Sequence, residues 1–457
     1  MRNIKKWSWV VALAGFLFGF DTVVISGAIE PIDILWKTND WEQGLLVSIA
    51  LWGTVLGSLF GGKPTDSLGR KPTLIWIGLL FSVSAIGSMI AWDPISFSFF
   101  RFLGGVGVGV STVAAPAYIS EISNPSSRGR LVALYQFNIV FGILIAYFSN
   151  YLLKGVGGEW DWRLMLGVEA IPAVLYTVMV YAVSESPRWL ALKKGDTEAA
   201  QRVLEKIHDS KTEAKEALDA ILKDSSTIGS TNRSPGLFAR RVEMFDAKNG
   251  YTASRIYGKP LVLSFLLAMF NQLSGINFIL YYAPSILENA GFASTESLLS
   301  SVSLGGINLL FTFVGLYFID RLGRKQLMYI GSIGYILSLT MVAYAFYSEA
   351  APMFTLTFIL MFIASHAVGQ GAVIWVFISE IFPNAVRGAG QSWGTGTHWV
   401  FAALITLLGP VVMKAFPDGW PIFAFFAACM LLQLAFTHWM MPETKGKSLE
   451  ELHDELH

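Results

Sequence analysis

Asp66-Ser67-Leu68-Gly69-Arg70-Lys71 returns as Asp320-Arg321-Leu322-Gly323-Arg324-Lys325, 254 residues further along the chain. A second pair keeps step with it. Ser120-Glu121-Ile122, followed by Arg128-Gly129, returns as Ser379-Glu380-Ile381 with Arg387-Gly388, 259 residues later. Glu185-Ser186-Pro187-Arg188 has a shortened echo in Pro442-Glu443-Thr444-Lys445, with the two glutamates 258 residues apart. Three motifs in one order at nearly one period mark a duplicated unit.

The segments between these motifs are apolar. Hydrophobic residues make up 53% of the 457 and charged residues only 14%, against about 25% charged in soluble domains. Mean hydropathy is +0.52. The apolar runs approach the ~20 residues that span a bilayer. They predict spans at 7–29, 43–62, 72–91, 95–119, 130–153, 163–183, 259–289, 297–319, 326–347, 353–379, 388–414 and 420–441. The stretch from Trp7 is too long for a signal-peptide core and has no small-residue cleavage site, so it reads as the first span. Basic residues set the orientation. Lys63, Arg70 and Lys71, Arg128 and Arg130, and Arg321, Arg324 and Lys325 fall on one side with both termini. Asp33, Asp40, Glu42, Asp93, Glu296, Glu349 and Asp418 fall on the other. Basic loops remain cytoplasmic. The compact loops lean towards a bacterial inner membrane.

The expected class is an all-α membrane protein of twelve transmembrane helices in two six-helix repeats. Residues 1–183 form the first bundle, 259–441 the second and 442–457 a short cytoplasmic tail. Residues 184–258 are charged and soluble-like. There Ala199, Ala200, Val203, Leu204 and Ile207 line one helical face, and Ala214, Ala217, Leu218, Ile221 and Leu222 another. This is a cytoplasmic linker with short amphipathic helices. Parallel repeats place a substrate site between the halves near the bilayer midplane, with access alternating between sides.

Several classes are disfavoured. The formal net charge is zero, so no nucleic acid or other polyanionic partner is implied. The single cysteine, Cys429, excludes an internal disulfide. Nothing indicates a metal, a cofactor or the clustered nucleophile of an enzyme. The run Gly104-Gly105-Val106-Gly107-Val108-Gly109 lies inside the fourth span, without the strand–turn–helix setting of a dinucleotide loop. Small residues there suit close helix packing.

Two groups within the spans invite chemistry. Asp21 is an acid inside the first span, and an ionisable residue at such depth is a functional candidate by default. At ~1.5 Å per residue, Asp21 and Arg101 both fall in the outer half of the membrane and can pair. A pair that separates during a cycle would load and release a proton. Gln136, Gln272, Asn277 and Asn308 are amides inside predicted spans. Each amide both donates and accepts, as a sugar hydroxyl does. Interhelical bonding is the other use of such residues in membranes.

The motifs resemble those of the sugar porter family of the major facilitator superfamily. The resemblance runs from Gly19-Phe20-Asp21 to Pro442-Glu443-Thr444-Lys445-Gly446. Its most specific pieces are Glu185-Ser186-Pro187-Arg188-Trp189-Leu190, Gln272-Leu273-Ser274-Gly275-Ile276-Asn277 and the final Pro442–Gly446 stretch. The resemblance implies the major facilitator fold and carriage of a monosaccharide or polyol. It assigns Asp21 and Arg101 to proton coupling, and Gln136, Gln272, Asn277 and Asn308 to the sugar. Trp375 and Trp399 match positions where aromatic rings lie beside the sugar. His398 stands where the family usually has Asn or Gln, and its neutral imidazole still donates and accepts. Asn271 replaces a usual Gln and has a shorter reach. Ala372 stands where a proline often follows Gly371, which bears on how span ten bends. The resemblance also assigns Asp66, Arg70, Glu121, Arg128, Glu185, Arg188, Asp320, Arg324, Glu380, Arg387 and Glu443 to a breakable network of helix-end salt bridges on the cytoplasmic side.

The expected function is therefore proton–monosaccharide symport by a functional monomer in the plasma membrane. Uniport and polyol transport are the near alternatives. A sugar receptor on the same scaffold would need a signalling tail, and only about 15 residues follow the last span.

Overall fold

The computed structural model describes residues 2–124, 127–229, 250–382, 386–447, 451, 452 and 456. The side chains of residues 2, 128, 224–229 and 250–256 lie outside that description, as does the stretch 230–249 of the expected linker. Among the described residues the chain is helical, with no strand. Lipid offers no hydrogen bonds to the backbone, and a helix satisfies its own amides internally. Twelve helices are long and apolar enough to cross a bilayer. In chain order, spans 1 to 12 are Asn3–Gly27, Asp40–Phe60, Arg70–Ile90, Pro94–Ile122, Gly129–Leu153, Gly158–Tyr181, Tyr257–Tyr281, Ser294–Leu322, Arg324–Tyr347, Pro352–Glu380, Arg387–Ala415 and Trp420–Trp439. Large apolar side chains point outward from them: Ile95 is 81% exposed, Ile171 70% and Leu432 62%. In water such a surface would drive association, whereas hydrocarbon solvates it.

The helices mostly overrun the expected apolar limits because polar residues extend and cap them. Span 4 starts at Pro94, where the Asp93 side chain accepts from the Ser96 amide at 2.6 Å and closes a capping box. Three spans are broken rather than continuous. Span 6 turns at Val168 and Glu169, between Asp161–Gly167 and Ala170–Tyr181. Span 7 stops at Leu273, resumes as Ile276–Tyr281, and the chain continues as Ala283–Asn289. Span 10 breaks at Gly369, between Pro352–Val368 and Gln370–Glu380.

The break in span 10 forms without the proline missing at Ala372. Gly369 leaves helical geometry, with φ −87° and ψ −102°, where its backbone crosses Gly331 of span 9. A Cβ built on Gly369 would lie 2.7 Å from the Gly331 Cα, so neither position has room for a side chain. The glycine run of span 4 does the packing expected of it. A Cβ on Gly105 would fall 1.8 Å from the Ala50 carbonyl oxygen of span 2.

The chain divides into two compact units. Unit 1 holds Met1–Val24, Ile49–Ala146 and Gly155–Ser234; unit 2 holds Ile25–Ser48, Tyr147–Lys154 and Pro235–His457. Unit 2 thus contains two stretches from the first half of the sequence, Ile25–Ser48 and Tyr147–Lys154. They are joined to the second-half helices by specific contacts. The Tyr147 hydroxyl donates to the Leu280 carbonyl at 2.5 Å, and Lys414 pairs with Asp40 at 2.8 Å.

In unit 1 the linker helices Thr197–Ile207 and Lys211–Gly229 take the places their amphipathic patterns predict. Ala200, Val203, Leu204, Ile207 and Ala214 are buried in one apolar cluster with Ile4 and Trp7 of span 1. The Asn3 amide donates to the Lys206 carbonyl at 2.7 Å, tying the start of span 1 to the linker.

Candidate functional site

Unit 1 encloses a charged group. Arg101 Nη1 donates to Asp21 Oδ1 at 2.5 Å, and Nη2 donates to the Asp21 backbone carbonyl at 3.0 Å. Asp21 is 2% exposed and Arg101 1%. The pairing expected from helix counting is present. A third member was not expected. Glu169 sits at the break in span 6, is 2% exposed, and lies close enough to Asp21 and Arg101 to interact with both electrostatically. Its Oε1 receives no donor among the described residues. Gly104 makes room for the group, since a Cβ there would lie 3.4 Å from Asp21 Oδ1 and 2.4 Å from Ser84 Oγ. Two carboxyls share one guanidinium. With both ionised the group carries an uncompensated negative charge, which costs several kcal/mol in a buried site. One proton shared between the two acids removes that excess.

Unit 2 encloses a neutral group at the break in span 7. Gln272 Nε2 donates to Asn271 Oδ1 at 3.0 Å and lies 3.2 Å from Nε2 of His398. The His398 ring packs against Trp375 with centroids 4.9 Å apart and edge-on to Trp399 at 4.8 Å. Asn271, Gln272, His398 and Trp399 are buried, whereas Trp375 is 37% exposed. Gln272 Oε1 is buried and receives no donor among the described residues. An orphaned amide oxygen costs roughly 1–3 kcal/mol and is suited to a hydroxyl brought by a ligand. Asn277 follows on the short helix Ile276–Tyr281, and Asn308 lies on span 8. Both are buried, but among the described residues no hydrogen bond joins either to the Gln272–His398 group. Gln136 belongs to unit 1, half-buried on span 5. Asn271, with its shorter reach, supports Gln272 through its side-chain oxygen.

The repeated motifs form two matching clusters, one per unit. In unit 1 Arg70 holds Glu121 through Nε and Nη2 at 3.0 and 2.8 Å and pairs with Asp66 at 3.1 Å. Glu185 accepts from the amides of Arg70, Lys71 and Ser186. In unit 2 Arg324 holds Glu380 at 3.1 and 2.7 Å and pairs with Asp320 at 3.1 Å. Glu443 accepts from the amides of Arg324, Lys325 and Lys445. Burial pushes the Glu185 carboxyl above the ordinary glutamate range, against the pull of its amide donors and of Arg70. Arg387 donates to the Phe382 carbonyl at 3.3 Å. Arg188 makes interactions of its own. The Arg128 side chain lies outside the described residues.

Two functional candidates escaped the sequence reading. Glu169 carried a legible signal, an acid inside a predicted span. The other is His366 of span 10, whose Nδ1 lies 2.5 Å from the Tyr335 hydroxyl. That partnership joins spans 9 and 10 and has no signature in sequence spacing.

The profile of the family described as sugar (and other) transporters matches residues 7–456. The D-xylose-proton symporter of Escherichia coli K12 is 33% identical, over 97% of this chain and 94% of that protein. The arabinose-proton symporter of Bacillus subtilis strain 168 is 34% identical, over 97% and 93% respectively. Among solved structures, a partially occluded inward-open form of the xylose transporter XylE from E. coli superposes with a TM-score of 0.83. That match has 30% identity and covers 98% of this chain and all of the other. The helical architecture is thus the major facilitator fold, and with a family match along nearly its whole length the chain belongs to the sugar (and other) transporter family.

Proposed function

We propose that the protein is a secondary active transporter that imports a monosaccharide together with a proton by alternating access. The observation that carries this reading is the buried set of two carboxyls and one guanidinium formed by Asp21, Glu169 and Arg101. A static structural ion pair needs one acid per guanidinium. A second acid gives the site an exchangeable proton, whose loss leaves an excess buried charge. The protonated and deprotonated forms therefore favour different arrangements of the surrounding helices, which is what coupling requires.

The neutral group of unit 2 supplies recognition. Gln272, Asn271 and His398 offer donors and acceptors, Trp375 and Trp399 offer flat apolar faces, and Asn277 and Asn308 are further amide contacts. An uncharged polyhydroxylated ring fits such a set, and relatives named as xylose- and arabinose-proton symporters support it. Basic loops and both termini face the cytoplasm, and the protein works as a monomer in a bacterial inner membrane. The helix-end clusters around Arg70 and Arg324 belong to the cytoplasmic gate.

The test is uptake of labelled monosaccharides into proteoliposomes, with and without an imposed pH gradient. Saturable accumulation above equilibrium, driven by an acidic exterior, is expected. Saturable but non-concentrative uptake would replace symport by uniport, and no uptake across a broad panel would remove the sugar.

A further inference from the structure

Arg101 Nε, Glu169 Oε1, Ser84 Oγ and Ser88 Oγ are buried atoms of unit 1 with no hydrogen-bond partner among the described residues. Such atoms are rare in native proteins and each calls for an explanation. Two belong to the charged group around Asp21. The other two are hydroxyls of span 3, which are 1% exposed. A serine inside a helix ordinarily donates back to a carbonyl one turn earlier. Ser82 does so, to Gly78 at 2.8 Å. Among the described residues Ser84 and Ser88 do not. Close helix packing alone would be served as well by alanine at either position.

Glycine contacts fix the depth of all four atoms. Span 3 runs antiparallel to span 4: a Cβ on Gly87 would strike the Phe100 ring, and one on Gly104 would strike Ser84 Oγ. Arg101 therefore stands between the levels of Ser84 and Ser88. Span 3 also runs antiparallel to span 6: a Cβ on Gly78 would strike Thr177 Oγ1, and one on Gly167 would strike the Met89 sulfur. By the same register Glu169 falls between those two levels as well. Ser84 Oγ and Asp21 Oδ1 border one space, the one a Cβ on Gly104 would fill. Ser88 follows one turn along the same face of span 3. It lies two residues before Ile90, which ends the span and is 58% exposed. Arg163, only partly buried, donates to the carbonyls of Met89 and Ala91 at 2.8 and 2.6 Å. Polar groups thus continue from the Asp21 site to the end of span 3 opposite Arg70.

We propose that Ser84 and Ser88 are the stations of a proton path that joins the Asp21–Arg101–Glu169 group to the Ile90 end of span 3. The proposal rests on the proton-coupled reading and deepens it by naming the route. Side chains one turn apart on a helix lie about 5–6 Å from each other, a gap that one water bridges. A hydroxyl both donates and accepts, so it relays a proton without changing its own charge. At each station one O–H bond forms on an oxygen lone pair as another breaks towards the next acceptor. The proton ends on a carboxylate oxygen of Asp21 or Glu169.

The test uses the full chain in proteoliposomes and the labelled monosaccharide that the wild type accumulates furthest. Ser84→Ala, Ser88→Ala and the double variant are compared with the wild type. Under an imposed gradient, acidic outside, each single variant should take up sugar roughly ten-fold more slowly, the rate equivalent of one lost hydrogen bond. The final accumulation ratio should not change. Sugar–sugar exchange at one uniform acidic pH needs no proton to leave the site and should keep its wild-type rate. Stations in series fail together, so the double variant should be no slower than the slower single one. Heavy water should slow gradient-driven uptake more in the variants than in the wild type. A packing role would slow uptake and exchange by one factor, and the two substitutions would multiply. That outcome, or wild-type gradient-driven rates in both single variants, overturns the path while leaving symport intact. If the wild type ignores the gradient, symport and path fall together. Should one single variant not fold, the other decides by the same contrast between uptake and exchange.

Discussion

The buried polar group of unit 1 is built from charge, and that of unit 2 from neutral hydrogen-bonding groups. Asp21, Arg101 and Glu169 contain no amide. Asn271, Gln272, His398, Trp375 and Trp399 contain no acid. The helix-end clusters, by contrast, repeat almost atom for atom around Arg70 and Arg324. A duplicated architecture has thus kept its ends alike and divided its interior. Charge couples strongly to protonation but discriminates poorly among neutral solutes. Amides and aromatic faces discriminate well but carry no energy input.

The largest effect should come from emptying the charged side. Asp21→Asn is expected to bring sugar accumulation down to the equilibrium level while sugar–sugar exchange persists. Unchanged concentrative uptake would detach Asp21 from coupling. Arg101→Met leaves two buried acids without a counter-charge. It should cost about 3–5 kcal/mol of stability, read as a lowered thermal midpoint that the double variant with Asp21→Asn partly recovers. Loss of stability with no such recovery would mean that Arg101 acts through packing alone. On the neutral side, Gln272→Ala should weaken sugar affinity by roughly ten-fold or more and leave the accumulation ratio at saturating sugar unaltered. A parallel fall in coupling would break the division between the units. Glu185→Gln should have the smallest effect. The folded chain holds the Glu185 proton more tightly than the unfolded chain does, so this residue's contribution falls as pH rises from about 4.5 through its folded value. The variant should flatten that slope in a pH series of unfolding midpoints, and an opposite slope would contradict the burial argument.

Most of the architecture was legible because lipid imposes simple demands on composition. Apolar length gave the twelve spans, and matched motifs gave the duplication. The Asp21–Arg101 pair was reachable by counting along helices. What escaped depended on where helices stop being helices. Glu169 was visible as an acid in a span, yet its approach to Asp21 depends on the turn at Val168 and Glu169. Gln272 was visible as an amide within a span, but the ending of span 7 at Leu273 turns the Asn271 carbonyl to the Ser274 hydroxyl, which no spacing in the sequence shows. The absence of proline at Ala372 left open how sharply span 10 bends. Gly369 supplies that break through its contact with Gly331, two positions 38 residues apart that no local pattern connects.

That contact also bears on how the sequence can drift. Most helix crossings are cushioned by side chains, so an interhelical angle can be adjusted methyl by methyl over many generations. Where Gly331 and Gly369 meet there is no cushion to trim. Any first step away from glycine on either helix is a collision, whatever the residue chosen. The angle of span 10 is therefore a nearly discrete inherited trait, open to replacement by a different way of breaking the helix but closed to gradual tuning.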